Sequence, residues 1–228
     1  MLDQDHFSSY AMGHWLRSDS SGRQVRSAVT GETLGVLGGV PDVAAMRDYA
    51  KSHGGPALRA LNFHDRARML KALALHLKAH RKALYDLSFL TGATLADSQI
   101  DIDGGIGTLL VYASKGRREM PEGFVLPDGE LEVLSRDGSF LGQHVLTPRQ
   151  GISLQINAFN FPVWGMLEKL APSLLAGVPS LVKPASDTGY LTQAVVRLIA
   201  DSGILPDGAL QLIMGATGDL LDCLDAQD

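Results

Sequence analysis

GISLQINAFNFPVWGMLEKLAPSLLAGVPSLVK, residues 151–183, decides the fold of this chain, because it predicts a strand, a corner, a helix and a second strand in succession. Apolar residues alternate from 152 to 156, which indicates a β-strand. Pro162 fixes its own φ and keeps the residue before it out of the helical region. The sequence therefore predicts a polar corner over residues 157–162 that closes at the proline.

After this corner the pattern changes to that of a helix, which we predict over residues 163–175. Gly177 is a fitting helix terminator, and residues 179–182 form a short apolar strand with Lys183 just beyond its end. Two parallel strands joined by a helix form a βαβ unit, and ligands of such sheets lie outside the carboxyl ends of the strands. We therefore expect the corner and Lys183 to share one edge of the sheet.

The same alternation continues towards the C-terminus. A helix is predicted over residues 188–201, a third strand over 210–214, and a short helix over 219–224. Alternating strands and helices favour a parallel sheet with helices on its faces. The predicted fold class is α/β, with a Rossmann-like parallel sheet and flanking helices, an N-terminal β arm and a helical segment.

Four parts are predicted along the chain. They are an N-terminal β arm (1–40), a helical part (41–119), a strand-like and turn-rich part (120–150), and a partial Rossmann-like domain (151–228). Within the helical part we predict helices over 43–52, 62–90 and 95–118, the first ended by Gly54-Gly55-Pro56 and the second open to a break near Ala79. Glycines at 104, 105 and 107 each cost about 1 kcal/mol in a helix, which predicts close packing there.

Composition narrows the class of protein. The 228 residues carry a net charge of −5 without a long basic run, so nucleic acid is not expected as a partner. No apolar run reaches the roughly 18 residues that a membrane span needs, and the first fifteen residues do not resemble a signal peptide. The single cysteine, Cys223, excludes an internal disulfide and fits a reducing, cytoplasmic location.

The strings Asn160-Phe161-Pro162 and Lys183-Pro184, joined by a helix that contains Leu, Ala and Pro, resemble the aldehyde dehydrogenase superfamily. The wider string at 156–172 is similar to the semialdehyde dehydrogenase half of the bifunctional ring-opening (oxepin-CoA hydrolase) enzymes of phenylacetate degradation. Residues 101–108 and 191–193 resemble the same branch. The branch that acts on a dehydroadipyl-CoA semialdehyde has similar strings and stays open as an alternative.

This resemblance implies oxidation of a CoA-linked semialdehyde, of the 3-oxo-5,6-dehydrosuberyl-CoA semialdehyde type, by a homo-oligomeric enzyme with NADP or NAD. It further implies that residues 41–119 are the helical part of the cofactor domain and that the strands over 120–150 are directed towards an oligomerisation sheet. It also implies that Asn160 donates to the oxyanion of the reacting aldehyde. From the corner pattern alone, Asn160 is as well suited to cap the following helix. Both interpretations remain open at this point.

The cofactor contacts implied by the resemblance lie at the same edge. They are Ile156, Asn157, Ala158, Phe159, Lys183, Ala185, Ser186, Gly215 and Gly218. Ser186 stands where the family has a Glu that accepts from the 2′-hydroxyl of the adenosine ribose. Without that carboxylate a 2′-phosphate is not repelled, so the sequence favours NADP, although neighbouring Asp187 weakens the inference. Without the family context, Lys183 is an ordinary solvated lysine and 215–218 an ordinary turn.

Other chemical signals are weak. His76 and His80 lack the Glu of a zinc protease motif, and no metal is expected. Cys223 does not match the family's nucleophile motif, and the general-base Glu is also absent. We therefore expect a fragment that is inactive alone. The alternative is a complete, non-catalytic nucleotide-binding or assembly module.

Overall fold

The structure is a computed structural model that describes residues 6–17, 22–217, 220–225 and 228. The strands are β1 (His6–Ala11), β2 (His14–Arg17), β3 (Arg23–Arg26), β4 (Thr33–Leu37), β5 (Leu126–Val133), β6 (Leu141–Leu146), β7 (Ser153–Ile156), β8 (Ser180–Lys183) and β9 (Leu210–Leu212). The helices are α1 (Val43–Tyr49), α2 (Gly55–Arg59), α3 (Phe63–Ser88), α4 (Leu95–Arg118), α5 (Trp164–Ala176) and α6 (Gly189–Asp201).

One sheet in the described part of the chain has seven strands, in the order β3-β4-β1-β9-β8-β7 with β2 paired to β1. β7, β8 and β9 are parallel, and α5 and α6 make the two crossovers between them. The predicted α/β class with a Rossmann-like parallel sheet is confirmed. Because both crossovers lead from one strand to its neighbour, the carboxyl ends of all three strands form one continuous edge.

The N-terminal strands extend this sheet instead of standing apart from it. β1 is antiparallel to β9 and pairs with it through Tyr10 and Leu212. Four residues earlier, His6 pairs with Val36 of β4. In an antiparallel pair, this earlier part of β1 lies beyond the carboxyl end of β9, so β1 carries β4 and β3 to the edge where the parallel strands end. The four-part division of the chain stays a prediction.

In the helical part, one detail of the prediction was wrong and one open alternative is decided. Gly54-Gly55-Pro56 does not end the first helix, because a π-helical turn (Ala50–Gly54) joins α1 to α2. Pro56 lies in the first turn of α2, where its missing N–H costs no hydrogen bond. Gly54 has to be a glycine because a Cβ at this position would lie 2.1 Å from the carbonyl oxygen of Gly208. α3 runs without a break at Ala79.

The glycines of α4 bring it close to α5. A Cβ on Gly104 would lie 2.7 Å from the Trp164 ring, and one on Gly105 would lie 3.0 Å from the Cα of Trp164. The predicted close packing is confirmed at these two positions. Gly107 has no neighbour within 4 Å of such an atom, so packing does not explain it.

Near the C-terminus the elements are shorter than predicted. β9 ends at Leu212, and residues 220–223 form turns where a helix was predicted. The main core lies between the sheet and α3–α6, and a smaller cluster around Met46, Leu181 and Ile213 covers the opposite face. No helix among the described residues is long and apolar enough to cross a membrane.

β5 and β6 form a separate two-stranded antiparallel hairpin. Its side chains are largely exposed, including large apolar ones: Leu131, Val133, Phe140, Leu141, Val145 and Leu146. Such an isolated hairpin is marginally stable in water, and these six side chains are exposed in the part of the chain that the structure describes.

Candidate cofactor and catalytic site

The corner that carries Asn160 is held on both sides by hydrogen bonds. The backbone N–H of Asn157 donates a hydrogen bond to the carbonyl oxygen of Lys183, at 3.0 Å. Two threonines of the next helical segment act from the other side, where the Thr188 hydroxyl donates to the Phe159 carbonyl (2.9 Å) and the Thr192 hydroxyl to the Pro162 carbonyl (3.0 Å). Asn160 itself is exposed. The backbone is therefore fixed around a side-chain amide that faces outward.

The start of α5 is capped by Asp101, from the middle of α4. Its carboxylate accepts from the amide of Trp164 at 2.7 Å and from the amide of Val163 at 3.2 Å. Val163 occupies the N-cap position and makes no side-chain capping bond. The helix amides for which Asn160 was the candidate cap are thus bonded to a residue 62 positions earlier. Capping therefore does not account for Asn160.

Burial of Asp101 raises its pKa to about 6, although the two amides that it accepts from act in the opposite direction. The folded state thus takes up a proton at a higher pH than the unfolded state does. Stability from this group is present at low pH and is lost as the pH rises through about 4 to 6.

For Asp101→Asn, which stays neutral, we expect this pH dependence to disappear. Relative to the unchanged chain, the free energy of unfolding of the variant should rise by about 3 kcal/mol between pH 4 and pH 7. Urea unfolding followed by circular dichroism at several pH values measures it. Parallel curves for the two proteins would contradict a titrating Asp101.

Lys183 is the last residue of β8 and is buried, with 4% of its surface exposed. Its ammonium donates to the carbonyl oxygen of Pro184 at 2.6 Å, and no carboxylate pairs with it among the residues that the structure describes. Burial lowers the pKa of this ammonium. An ammonium with spare donors at the end of a strand suits a hydroxyl or phosphate oxygen.

The segment after β8 holds the other predicted contacts. Ala185 and Ser186 are half-buried, and Asp187 is exposed. The Asp187 carboxylate bonds the guanidinium of Arg23 from β3. The structure thus brings an arginine from the N-terminal strands to the segment where Ser186 replaces the expected Glu.

The remaining predicted cofactor contacts are divided by the structure. Ile156, Ala158 and Phe159 are exposed on the corner. Asn157 is buried, and both polar atoms of its side chain lack a hydrogen-bond partner in the described chain. Gly215 has a φ of 128°, and its Cβ position lies 3.0 Å from the Gly38 carbonyl oxygen, so a backbone approach occurs there within the chain itself. Gly218 lies outside the described residues.

Comparison with known proteins identifies the family. The sequence profile described as "Aldehyde dehydrogenase family" matches residues 15–227. The chain belongs to the aldehyde dehydrogenase family. It is 42% identical over 216 residues to the 3,4-dehydroadipyl-CoA semialdehyde dehydrogenase of Aromatoleum evansii, with 94% of this chain and 42% of the relative covered. It is 26% identical over 217 residues to the glutarate-semialdehyde dehydrogenase of Pseudomonas putida, with coverages of 93% and 42%.

The aldehyde dehydrogenase chain thus spans 42% of the length of these curated relatives. Solved structures show the same fold. The NADP-dependent glyceraldehyde-3-phosphate dehydrogenase of Bacillus halodurans superposes with a TM-score of 0.78 at 20% identity, over 96% of this chain and 45% of that one. The betaine aldehyde dehydrogenase of Staphylococcus aureus gives 0.72 at 24% identity, with coverages of 97% and 43%. The predicted partial aldehyde dehydrogenase fold is confirmed.

Sequence reasoning missed the roles of Asp101 and Arg23 in this aldehyde dehydrogenase chain. For Asp101 a signal existed. It lies one helical turn before Gly104 and Gly105, which pack against α5, and α5 has Val163 at its N-cap, whose side chain cannot cap it. For Arg23 no local signal existed, since 164 residues separate it from Asp187.

Proposed function

We propose that this chain is the first part of the cofactor-binding domain of a nicotinamide-dependent aldehyde dehydrogenase. The observation that carries the proposal is the Asn160 corner. It is hydrogen-bonded on both sides, its amide faces outward, and it lies at the carboxyl edge of the parallel strands beside Lys183. Ligands of open α/β sheets bind at that edge.

Asn160 supplies an oxyanion donor in this proposal. Its side-chain N–H donates a hydrogen bond to the aldehyde oxygen as negative charge develops there. Such a donor lowers the barrier most when it needs no reorganisation, which the fixed backbone on both sides of Asn160 provides. In this proposal, the part of the family fold that lies outside this chain provides the nucleophile and the general base.

The residues at the edge fit a nicotinamide dinucleotide. The buried Lys183 ammonium lacks a carboxylate partner in the described chain, so it can donate to a ribose hydroxyl or a phosphate. The exposed corner residues Ile156, Ala158 and Phe159 offer backbone and apolar surface beside it. A nicotinamide dinucleotide held by these residues would supply the hydride acceptor for oxidation of the aldehyde. Ser186 in place of a carboxylate favours NADP as the dinucleotide.

The proposed substrate class is a CoA-linked semialdehyde. The Aromatoleum evansii relative, named for 3,4-dehydroadipyl-CoA semialdehyde, supports this class. The 3-oxo-5,6-dehydrosuberyl-CoA semialdehyde of the phenylacetate route and the dehydroadipyl compound are both candidates within it. Comparison of kcat/KM for the two compounds with the full-length enzyme decides between them. Turnover of simple short aldehydes alone would contradict the class.

We propose a homo-oligomer for the full-length enzyme as well. The exposed apolar side chains of the β5–β6 hairpin support this, because a hairpin of that kind needs a covering surface. Sedimentation of the full-length enzyme as a monomer at micromolar concentration would contradict it.

Nucleotide binding tests the proposal on this chain directly. We expect isothermal titration to show binding of NADP, weakened about tenfold by Lys183→Met, which removes the ammonium and keeps the aliphatic stem. Asn160→Ala is the matched comparison and should leave the affinity unchanged, since its partner is the aldehyde. Failure of a chain that is folded by circular dichroism to bind either NADP or NAD would contradict the proposed cofactor site.

A further inference from the structure

The place of the adenosine ribose follows from the topology. β7, α5 and β8 form the first βαβ unit of the parallel sheet. In sheets of this kind, a group at the end of the second strand distinguishes the two cofactors. A carboxylate there accepts from the ribose 2′-hydroxyl of NAD, and a nearby arginine accommodates the 2′-phosphate of NADP. In this chain the segment 184–187 follows the second strand.

This segment carries one carboxylate, Asp187, and the structure pairs it with Arg23. Arg23 reaches it because β1 extends beyond β9 and brings β4 and β3 with it. Arg23 pairs across β3 and β4 with Leu37, and Leu37 pairs with Phe7 of β1, in the part of β1 beyond β9. The arginine therefore stands at the carboxyl edge although it belongs to an outer strand.

Charge and exposure then favour one of the two cofactors. One carboxylate oxygen of Asp187 is bonded to the Arg23 guanidinium. The side chains of Arg23 and Asp187 are 61% and 65% exposed, and ion pairs this exposed hold their partners weakly. A phosphate carries more charge than a carboxylate and offers a planar guanidinium two oxygens at once, so it can take the place of Asp187.

We propose that Arg23 is the residue that binds the 2′-phosphate of NADP, and that Asp187 holds its guanidinium in position when no phosphate is present. The hydroxyl of Ser186 lies next to Asp187 in the chain and adds a neutral donor. The inference rests on the proposed nicotinamide cofactor site and assigns its selectivity to a strand outside the parallel unit.

Two probes that differ only by the phosphate test it, adenosine 2′,5′-bisphosphate and adenosine 5′-monophosphate. Isothermal titration of the chain should show tighter binding of the bisphosphate. Arg23→Gln should remove at least about tenfold of that advantage and leave the monophosphate unchanged. Asp187→Asn should increase the advantage. Arg26→Gln is the matched control, because Arg26 lies on the same strand and bonds Gly31 and Gln24 instead.

The possible outcomes distinguish the assignment of Arg23 from the proposed cofactor site itself. Equal losses from Arg23→Gln and Arg26→Gln would overturn the assignment, since only general charge attraction would then be at work. An unchanged preference in Arg23→Gln would overturn it while leaving the cofactor site standing. Lack of binding of both probes and of both dinucleotides by the folded chain would overturn the cofactor site and the Arg23 assignment together.

Discussion

Arg66→Met should lower the free energy of unfolding of this chain by about 3 kcal/mol or more. Arg66 is fully buried in α3 and lies 4.6 Å over the Phe63 ring. Its guanidinium donates to the carbonyl oxygens of Leu175 (2.8 Å), Leu61 (2.7 Å) and Leu58 (3.2 Å). Methionine fills much of the volume but removes all three of these hydrogen bonds, and the Leu58 oxygen keeps only a backbone donor, the amide of Leu61 (3.2 Å).

The three carbonyl groups explain the size of the effect. Leu175 belongs to the last turn of α5, and Leu58 and Leu61 lie at the end of α2, so Arg66 joins two helix C-termini to α3. Burial lowers the pKa of Arg66, which shows that its own desolvation opposes this role. Donation to helix carbonyls offsets that cost, because the C-terminal ends carry partial negative charge.

Arg68→Met is the control for this prediction. Arg68 lies on the same helix, is 57% exposed and pairs with Asp65. Exposed pairs of this kind contribute little, so its loss should be well below that of Arg66. Urea unfolding curves measured side by side decide the matter. Similar midpoints and slopes for the two variants would show that the buried hydrogen bonds of Arg66 contribute no more to the free energy of unfolding than the exposed ion pair of Arg68.

Asn160→Ala should reduce kcat of the proposed full-length enzyme about 10²–10³-fold, the usual loss for one oxyanion donor. KM for the aldehyde should change little, because the hydrogen bond strengthens only as the oxygen gains charge. Steady-state kinetics with a CoA-linked semialdehyde gives both parameters.

Two further measurements on Asn160→Ala distinguish a catalytic role from a structural one. Nucleotide affinity and the unfolding midpoint should be unchanged in Asn160→Ala, because the side chain is exposed and α5 is capped by Asp101. A loss of stability would assign Asn160 a structural role. A kcat within threefold of the unchanged enzyme would remove it from the oxyanion site.

The sequence predicted the parallel unit well because its signals are local. Pro162 and Gly177 mark the ends of α5, and alternating or continuous apolar runs mark β7 and β8. The rule that the carboxyl ends of parallel strands lie at one edge of the sheet correctly placed Lys183 and the corner 157–162 together. These features depend on neighbours a few residues apart, which a single sequence displays.

Other features depended on packing partners that are distant in sequence. Gly54, the last residue of the π-helical turn before α2, lies against Gly208, 154 positions later. The cap of α5 by Asp101 and the pair of Arg23 with Asp187 need the tertiary structure to form first. A residue's own neighbours carry no information about such contacts, so the sequence left the role of Asn160 open between a helix cap and an oxyanion donor and did not point to Asp101.

The central position of β1 has a consequence for folding during synthesis. β1 precedes the other described strands in the chain, yet its partner on one side is β9, and Tyr10 pairs with Leu212 about two hundred residues later. At roughly 5–20 residues per second, the ribosome needs about 10–40 s to deliver that partner. The hairpin that β1 forms with β2 can close at once. The edge of β1 that faces β9 therefore stays unpaired for the whole interval, and an unpaired strand edge is prone to pair with other chains.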